Sequence, residues 1–209
     1  MRVITTTQGD DAWKAARAGV LTASCLGDLM AKTKTGPSTS RANLIAKLAV
    51  ERITGAQDDG YTNPAMLRGI ELEDVARCAY EAQYGVLVET TGFCLHDDYD
   101  FVGCSVDGLL DDDGVWEAKC PVAMAKHLAA LRTKGKATAD EYAWQVQGQL
   151  FVTERKWCDV ATYDPRFPAG LQLVVCRVMR DEAKIEELRL ACIAADEEIT
   201  AIVEELRGM

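Results

Sequence analysis

At 209 residues the chain is long enough for one sizeable α/β core and short for two, so a single domain over residues 1–209 is expected, its core over about 9–178. Apolar residues make up 48% and charged residues 27%, no apolar run is long enough for a membrane span, and no secretory leader pattern opens the chain, so a cytoplasmic protein is expected. The net charge of −10 argues against a nucleic-acid partner, whose phosphates attract lysine and arginine, but the excess is local. Residues 181–209 hold nine acids and three bases.

In chain order, Asp10 to Ala18 reads as a short helix, followed by an apolar turn at Val20-Leu21. Thr22 is placed to cap a second helix through Leu29-Met30, and Lys32 to Ser40 reads as a polar loop. A helix from Arg41 to Ile53 stops at Gly55. The next helix is the best marked, with Asn63 as cap, Pro64 in its first turn and Gly85 as its stop. Its apolar stripe is Leu72, Val75, Ala76, Ala79 and Tyr80. From Val86 to Cys120 short strands are broken by glycine and aspartate. Helices at Val122–Leu131 and Glu141–Thr153, strands at Cys158–Tyr163 and Leu171–Val178, and a long amphipathic helix over about 181–206 complete the chain. The fold class is α/β (α+β), with a central mixed, largely antiparallel sheet flanked by helices. The eight cysteines lack the close pairing of zinc or redox motifs and read as reduced core residues.

The segment from Cys104 to Pro121 reads as strand, turn, strand. Alternation puts Ser105, Asp107 and Leu109 on one face of the first strand, and Val115, Glu117 and Lys119 on one face of the second. A loop of Asp112-Asp113-Gly114, with Gly114 left-handed, would pair Asp107 with Lys119 and leave Glu117 one diagonal step away. A two-residue Asp113-Gly114 turn would separate the acids onto opposite faces. Two carboxylates and a lysine on one face suit phosphodiester hydrolysis, since the acids can bind Mg²⁺ and the lysine can orient water or stabilise developing charge. The spacing Asp-x₉-Glu-x-Lys is by itself a weak pattern, which taken alone reads better as a surface hairpin with an acidic turn and incidental charges.

Other candidates accompany it. Glu73 lies at the edge of its helix's apolar stripe, one turn after Gly69, whereas Glu71 reads as an exposed acid. Arg17 precedes a helix N-terminus beside Ser24, an arrangement that suits an anion. Gln145 and Gln149 share one helix face while Gln147 points away.

Taken together and in order, Gly9 to Trp13 with Arg17 and Thr22 to Ser24, Gly69 to Arg77, Cys104 to Pro121, Gln145 to Gln147, and Tyr163 to Arg166 resemble the phage lambda exonuclease family (YqaJ-type viral recombinases) of the PD-(D/E)xK nucleases. The resemblance runs from about Gly9 to Val178 and implies a restriction-endonuclease-like core. It implies Mg²⁺ (with Mn²⁺ as a substitute) at Asp107, Glu117, the Ala118 carbonyl and Glu73, with Lys119 catalytic. Arg17, Ser24, Ser105 and Gln145 match positions that hold a 5′-phosphate, and Met66 matches an apolar wedge at the duplex end. It further implies 5′→3′ digestion of one strand of duplex DNA, a ring-shaped homotrimer, a single-strand annealing protein as partner, and a phage or prophage origin. Val106 stands where the family usually has proline, and the Lys32–Ser40 loop differs in length and content. An endonuclease on the same core, a nuclease-dead DNA-end or annealing-partner adaptor, and a hydrolase of small phosphoesters are the alternatives.

Overall fold

The computed structural model describes residues 1–6, 9–34, 36–57 and 64–209, the side chains of 64–66 excepted. Two four-stranded sheets are built in succession. The first has the order β1 (Arg2–Ile4), β5 (Phe93–Leu95), β6 (Val102–Cys104), β2 (Leu21–Thr22); the second runs β10 (Leu173–Met179), β9 (Trp157–Tyr163), β8 (Gly114–Lys119), β7 (Gly108–Leu110). Pairing is antiparallel except for β2–β6 and β8–β9, which gives the mixed, largely antiparallel character that was expected. The chain passes from the first sheet to the second through Ser105, Val106 and Asp107, so two candidate site residues sit at the crossing.

The helices arise where the sequence marks them. Asp10 caps α1 (Asp11–Arg17), accepting from Trp13 N–H at 2.6 Å. Ser38 caps α3 (Thr39–Thr54), which ends at Gly55 in the left-handed conformation. α4 (Pro64–Tyr84) ends at left-handed Gly85, and its proposed cap Asn63 lies outside the described residues. Ala76 and Tyr80 of α4 are buried, but Val75 faces solvent, because the stripe packing against the second sheet is narrower than the sequence suggested. α5 (Met124–Arg132), α6 (Lys136–Glu141) and α7 (Ala143–Thr153) follow β8, and α8 (Glu182–Arg207) packs on α3. A main core joins α2 (Leu26–Met30), α3, α7 and α8 to the first sheet and to the face of β8 and β9 that carries Val115, Glu117, Cys158 and Val160; a smaller one lies under α4.

Four expectations need correction. Thr22 makes no side-chain cap; it precedes a 3₁₀ turn, Ala23–Cys25, and its hydroxyl pairs with that of Ser24 at 3.2 Å. The Lys32–Ser40 stretch includes a small hairpin, β3 (Lys32–Thr33) with β4 (Gly36–Pro37), rather than being all loop. The cysteines are all unpaired, but Cys78 is exposed and Cys25, Cys120 and Cys176 are only partly buried. The fourth is the register of the β7–β8 hairpin, where Leu110 pairs with Gly114 and Gly108 with Trp116. Asp111–Asp113 is therefore the loop, two residues out of register from the expected pairing but of the same parity. Gly114 belongs to the strand because the Trp157 ring covers it, leaving no room for a Cβ. Asp111 takes the left-handed position instead (φ 45°), and Arg155 donates to the carbonyls of Leu110, Asp111 and Gly114, closing the loop.

Candidate active site

The observed register has a direct consequence. The paired register ends with Gly108 opposite Trp116; the preceding Asp107, a bend residue just past the ladder, lies beside the side of β8 from which Glu117 projects, near enough for the two charges to act on each other. Lys119, two residues on, shares that side. The β7–β8 ladder stops here: the Ala118 N–H donates to Asp107 Oδ2 at 2.8 Å in place of a strand partner. In an extended strand the carbonyl of a residue points the same way as its N–H, so the Ala118 oxygen also faces Asp107.

Glu117 is 2% exposed and accepts from three donors. Lys119 Nζ and Gln145 Nε2 each reach Oε1 at 2.6 Å, and Gln149 Nε2 reaches Oε2 at 2.6 Å. Lys119 Nζ also lies 3.3 Å from Gln145 Oε1 and 4.2 Å from the centre of the Tyr142 ring. Burial draws the Lys119 pKa down, but Glu117 and Asp107 outweigh it and hold the ammonium at about 12. Burial, then Glu117 and Glu73, push the Asp107 carboxyl well above the ordinary range. Glu73 on α4 is raised by burial and then by Glu117, which places it within electrostatic reach of the pair. Among the described residues no three acids close into a ready-made metal cage. The donor set is all oxygen, and Mg²⁺ is held by few protein oxygens with its remaining positions filled by water, so these residues fit that ion without a cage.

Beside this cluster a second group gathers at Ser105. Its hydroxyl accepts from Trp13 Nε1 at 2.9 Å and from Arg17 at 3.1 Å, and the Arg17 guanidinium stacks 4.2 Å from the Trp13 ring centre. Arg17 Nε is buried without a partner, and burial lowers the Arg17 pKa despite nearby Cys25, Cys104 and Glu51. The loop after Arg17 is fixed at Gly19 (φ 72°), whose N–H donates to buried Glu51 at 2.8 Å and whose carbonyl accepts from Arg52 at 2.9 Å. Ser24 is exposed on the 3₁₀ turn. That turn packs on α7 where Gly148 leaves no room for a Cβ against Leu26 and Ala23.

The residues singled out in the sequence thus fall into two groups, Asp107, Glu117, Lys119, Glu73 and Gln145, and Arg17 with Ser105, while Ser24 is exposed and pairs with Thr22. Gln145 sits between Glu117 and Lys119 rather than on Arg17. The Met66 side chain lies outside the described residues. Trp13 and Gln149 carry contacts that the sequence reading left unassigned; the shared helix face of Gln145 and Gln149 was the available signal for the latter. Gln147 does turn away, bonding the Met179 carbonyl and the Asp181 N–H. A cleft of about 540 Å³ opens beside Lys119, bounded by Gly69, Pro121, Lys126 and Tyr142.

The YqaJ-like viral recombinase domain family matches residues 12–156, a span that includes both groups. The chain belongs to that family. Two solved structures of LHK-Exo, an alkaline exonuclease of Laribacter hongkongensis, are similar at 38% identity over 95% of this chain and 96% of theirs. The TM-score is 0.86 for its complex with dAMP and 0.85 for the other. A phage-related exonuclease of Haemophilus somnus 129PT shares the fold at TM-score 0.74 and 14% identity, over 90% of this chain and 96% of that one. No match was found among curated proteins. The fold of this YqaJ-like chain is thus the mixed α/β fold of the PD-(D/E)xK alkaline exonucleases. No helix among its described residues is long and apolar enough to cross a membrane.

Proposed function

We propose that this protein is a Mg²⁺-dependent 5′→3′ exonuclease that degrades one strand of duplex DNA from 5′-phosphorylated ends, leaving 3′ single-stranded overhangs for strand annealing. The observation that carries the reading is Asp107 bonded to the Ala118 N–H beside Glu117, with Lys119 on the same strand face as Glu117 and Ser105–Arg17 at the start of the same crossing. Asp107, Glu117 and the Ala118 carbonyl would hold the cation, with Glu73 behind them. Bound there, Mg²⁺ would polarise the scissile phosphoryl group and acidify the attacking water.

The residues of this chain supply the rest. Lys119, held by Glu117 and facing Tyr142, orients the attacking water and neutralises charge that builds on the phosphoryl oxygens. Arg17, with Ser105 and Ser24, offers charge-assisted donors to a terminal phosphate. Water adds to phosphorus as the P–O3′ bond breaks, releasing a 5′-mononucleotide and leaving a new 5′-phosphate on the strand. Each cut therefore regenerates the group that the Arg17 pocket recognises. An internal cutter has no use for such a pocket, and an adaptor has no use for the lysine.

The same reading includes Mn²⁺ as a substitute, a phage or prophage origin in a bacterial cytoplasm, a homotrimeric ring around the duplex and a single-strand annealing protein as partner; these rest on the family resemblance. The deciding experiment is digestion in Mg²⁺ of a linear duplex with one 5′ end phosphorylated and the other not, beside a closed circle. Mononucleotides released from the phosphorylated end alone support the proposal. Cutting of the circle favours an endonuclease, and end binding without cleavage favours the adaptor.

A further inference from the structure

The Tyr163-Asp164-Pro165-Arg166 stretch is part of the family resemblance, yet nothing in the mechanism above uses it. Asp164, immediately after β9, has no exposed surface. Its carboxylate accepts from Arg166 N–H at 3.1 Å, from Arg166 Nε at 2.8 Å and from an Arg166 terminal nitrogen at 2.6 Å. It also accepts from Arg68 of α4 at 3.2 Å. The same terminal nitrogen of Arg166 donates to the carbonyls of Pro121 and Val122, at 3.2 and 2.9 Å. Those two residues follow Lys119 by two and three positions. One buried carboxylate thereby joins the end of β8, which carries Lys119, to the helix that carries Glu73.

This join lies where apolar packing is thin. Between residues 67 and 84 of α4 the fully buried side chains are Ala76 and Tyr80, both beyond Glu73. Before Glu73 the helix borders the cleft: a Cβ on Gly69 would meet nothing within 4 Å, and Leu67 and Ile70 are exposed. The Arg68–Asp164 pair is the polar tie there, as the Tyr80–Asp159 bond (2.7 Å) is farther along. Multiple charge-assisted contacts from two arginines resist sliding in a way that one apolar contact does not.

We infer that Asp164, Arg166 and Arg68 form a positioning clamp that sets Glu73 and Lys119 against the Asp107–Glu117 pair. The inference rests on the proposed nuclease site, and the three residues act through Glu73 and Lys119 rather than on DNA. Displacing a catalytic group by about 1 Å lowers a rate on the order of 10²-fold. A clamp therefore shows in the rate of each active molecule, and a merely structural contact shows in how many molecules fold.

Arg68 is the residue to change, because its partly exposed side chain leaves folding less at stake than Asp164. Wild type, Arg68→Met, Arg68→Lys, Glu73→Gln and the Arg68→Met/Glu73→Gln double variant are compared in single-turnover digestion of a 5′-phosphorylated duplex with enzyme in excess. Mn²⁺ binding to each DNA-free protein is measured by calorimetry, with Tm beside it. Arg68→Met is expected to lower the rate constant by roughly 10- to 100-fold at full amplitude and to weaken Mn²⁺ binding, with Arg68→Lys recovering part of both. In the Glu73→Gln background the same change should add less than it does alone. Reduced amplitude at an unchanged rate constant, or fully multiplicative losses in the double variant, would overturn the clamp. If Arg68→Met does not fold, Arg68→Lys against wild type carries the comparison. A wild type that digests no duplex sinks the nuclease reading itself; the clamp then stands or falls on Mn²⁺ affinity.

Discussion

Gln149, fully buried in α7, donates its side-chain amide to Glu117 Oε2 at 2.6 Å, one helical turn beyond Gln145, which serves Oε1. Each carboxylate oxygen thus has its own glutamine, and the rotation of Glu117 is set from the helix. The arrangement has a cost, since Gln149 Oε1 is buried without a partner, a loss of about 1–3 kcal/mol in typical cases. Gln149→Met keeps the volume and removes both the donor and the orphaned oxygen. It is expected to lower kcat by roughly 10- to 100-fold with KM for the DNA end unchanged, and to lower Tm because the buried, charged Glu117 Oε2 loses its glutamine donor. Steady-state kinetics and a melting curve check this, and an unchanged kcat would free Glu117 from the proposed control.

Lys119 touches Glu117, Gln145 and the Tyr142 face, so its ammonium is held on three sides. Lys119→Ala deletes the charge without touching Asp107, Glu117 or the Ala118 carbonyl. The rate is expected to fall by at least about 10²-fold while calorimetric Mn²⁺ binding persists. Full activity in this variant would remove Lys119 from the mechanism.

Arg17 meets Ser105 at 3.1 Å and is braced by the Trp13 ring. Losing a hydrogen bond between charged groups is worth about 1.5–3 kcal/mol, or roughly 10- to 100-fold. Arg17→Ala should therefore slow digestion of 5′-phosphorylated ends by that factor and leave 5′-hydroxyl ends nearly unaffected. Equal slowing of both ends would mean that Arg17 supports the fold rather than the phosphate.

Much of this was legible in the sequence because the signals are local. Asp10, Gly55 and Gly85 bound helices where the sequence marks them, though the Ser38 cap lies in the stretch read as loop, and alternation alone put Glu117 and Lys119 on one side of β8. The hairpin register was harder, because it depends on Trp157 and Arg155, more than forty residues away from the loop they settle. β1 went unseen for a similar reason: three residues become a strand only by pairing with β5. In the site, the types and order of the acids pointed to hydrolysis. The partners of Ser105, the two glutamines on Glu117 and the Arg68 on Asp164 come from distant elements, and no spacing rule announces a contact between Trp13 and Ser105.

Asp164 also ties stability to pH, and the sign follows from its partners. Hydrogen bonding to Arg166, opposed by burial and aided by the Arg166 and Arg68 charges, holds the folded carboxyl below its ordinary value of 3.8. A carboxyl that is more acidic when folded contributes stability that is fully present above the unfolded pKa. That contribution is lost as pH falls through the lower, folded pKa. Asp164→Asn should consequently melt below wild type at neutral pH, with the gap constant down to about pH 4 and closing in more acidic buffer. Melting curves of both proteins across that range test the assignment. A gap that stays the same width well below pH 3.8 would mean that the variant loses shape or packing, not the charge that Arg68 and Arg166 share.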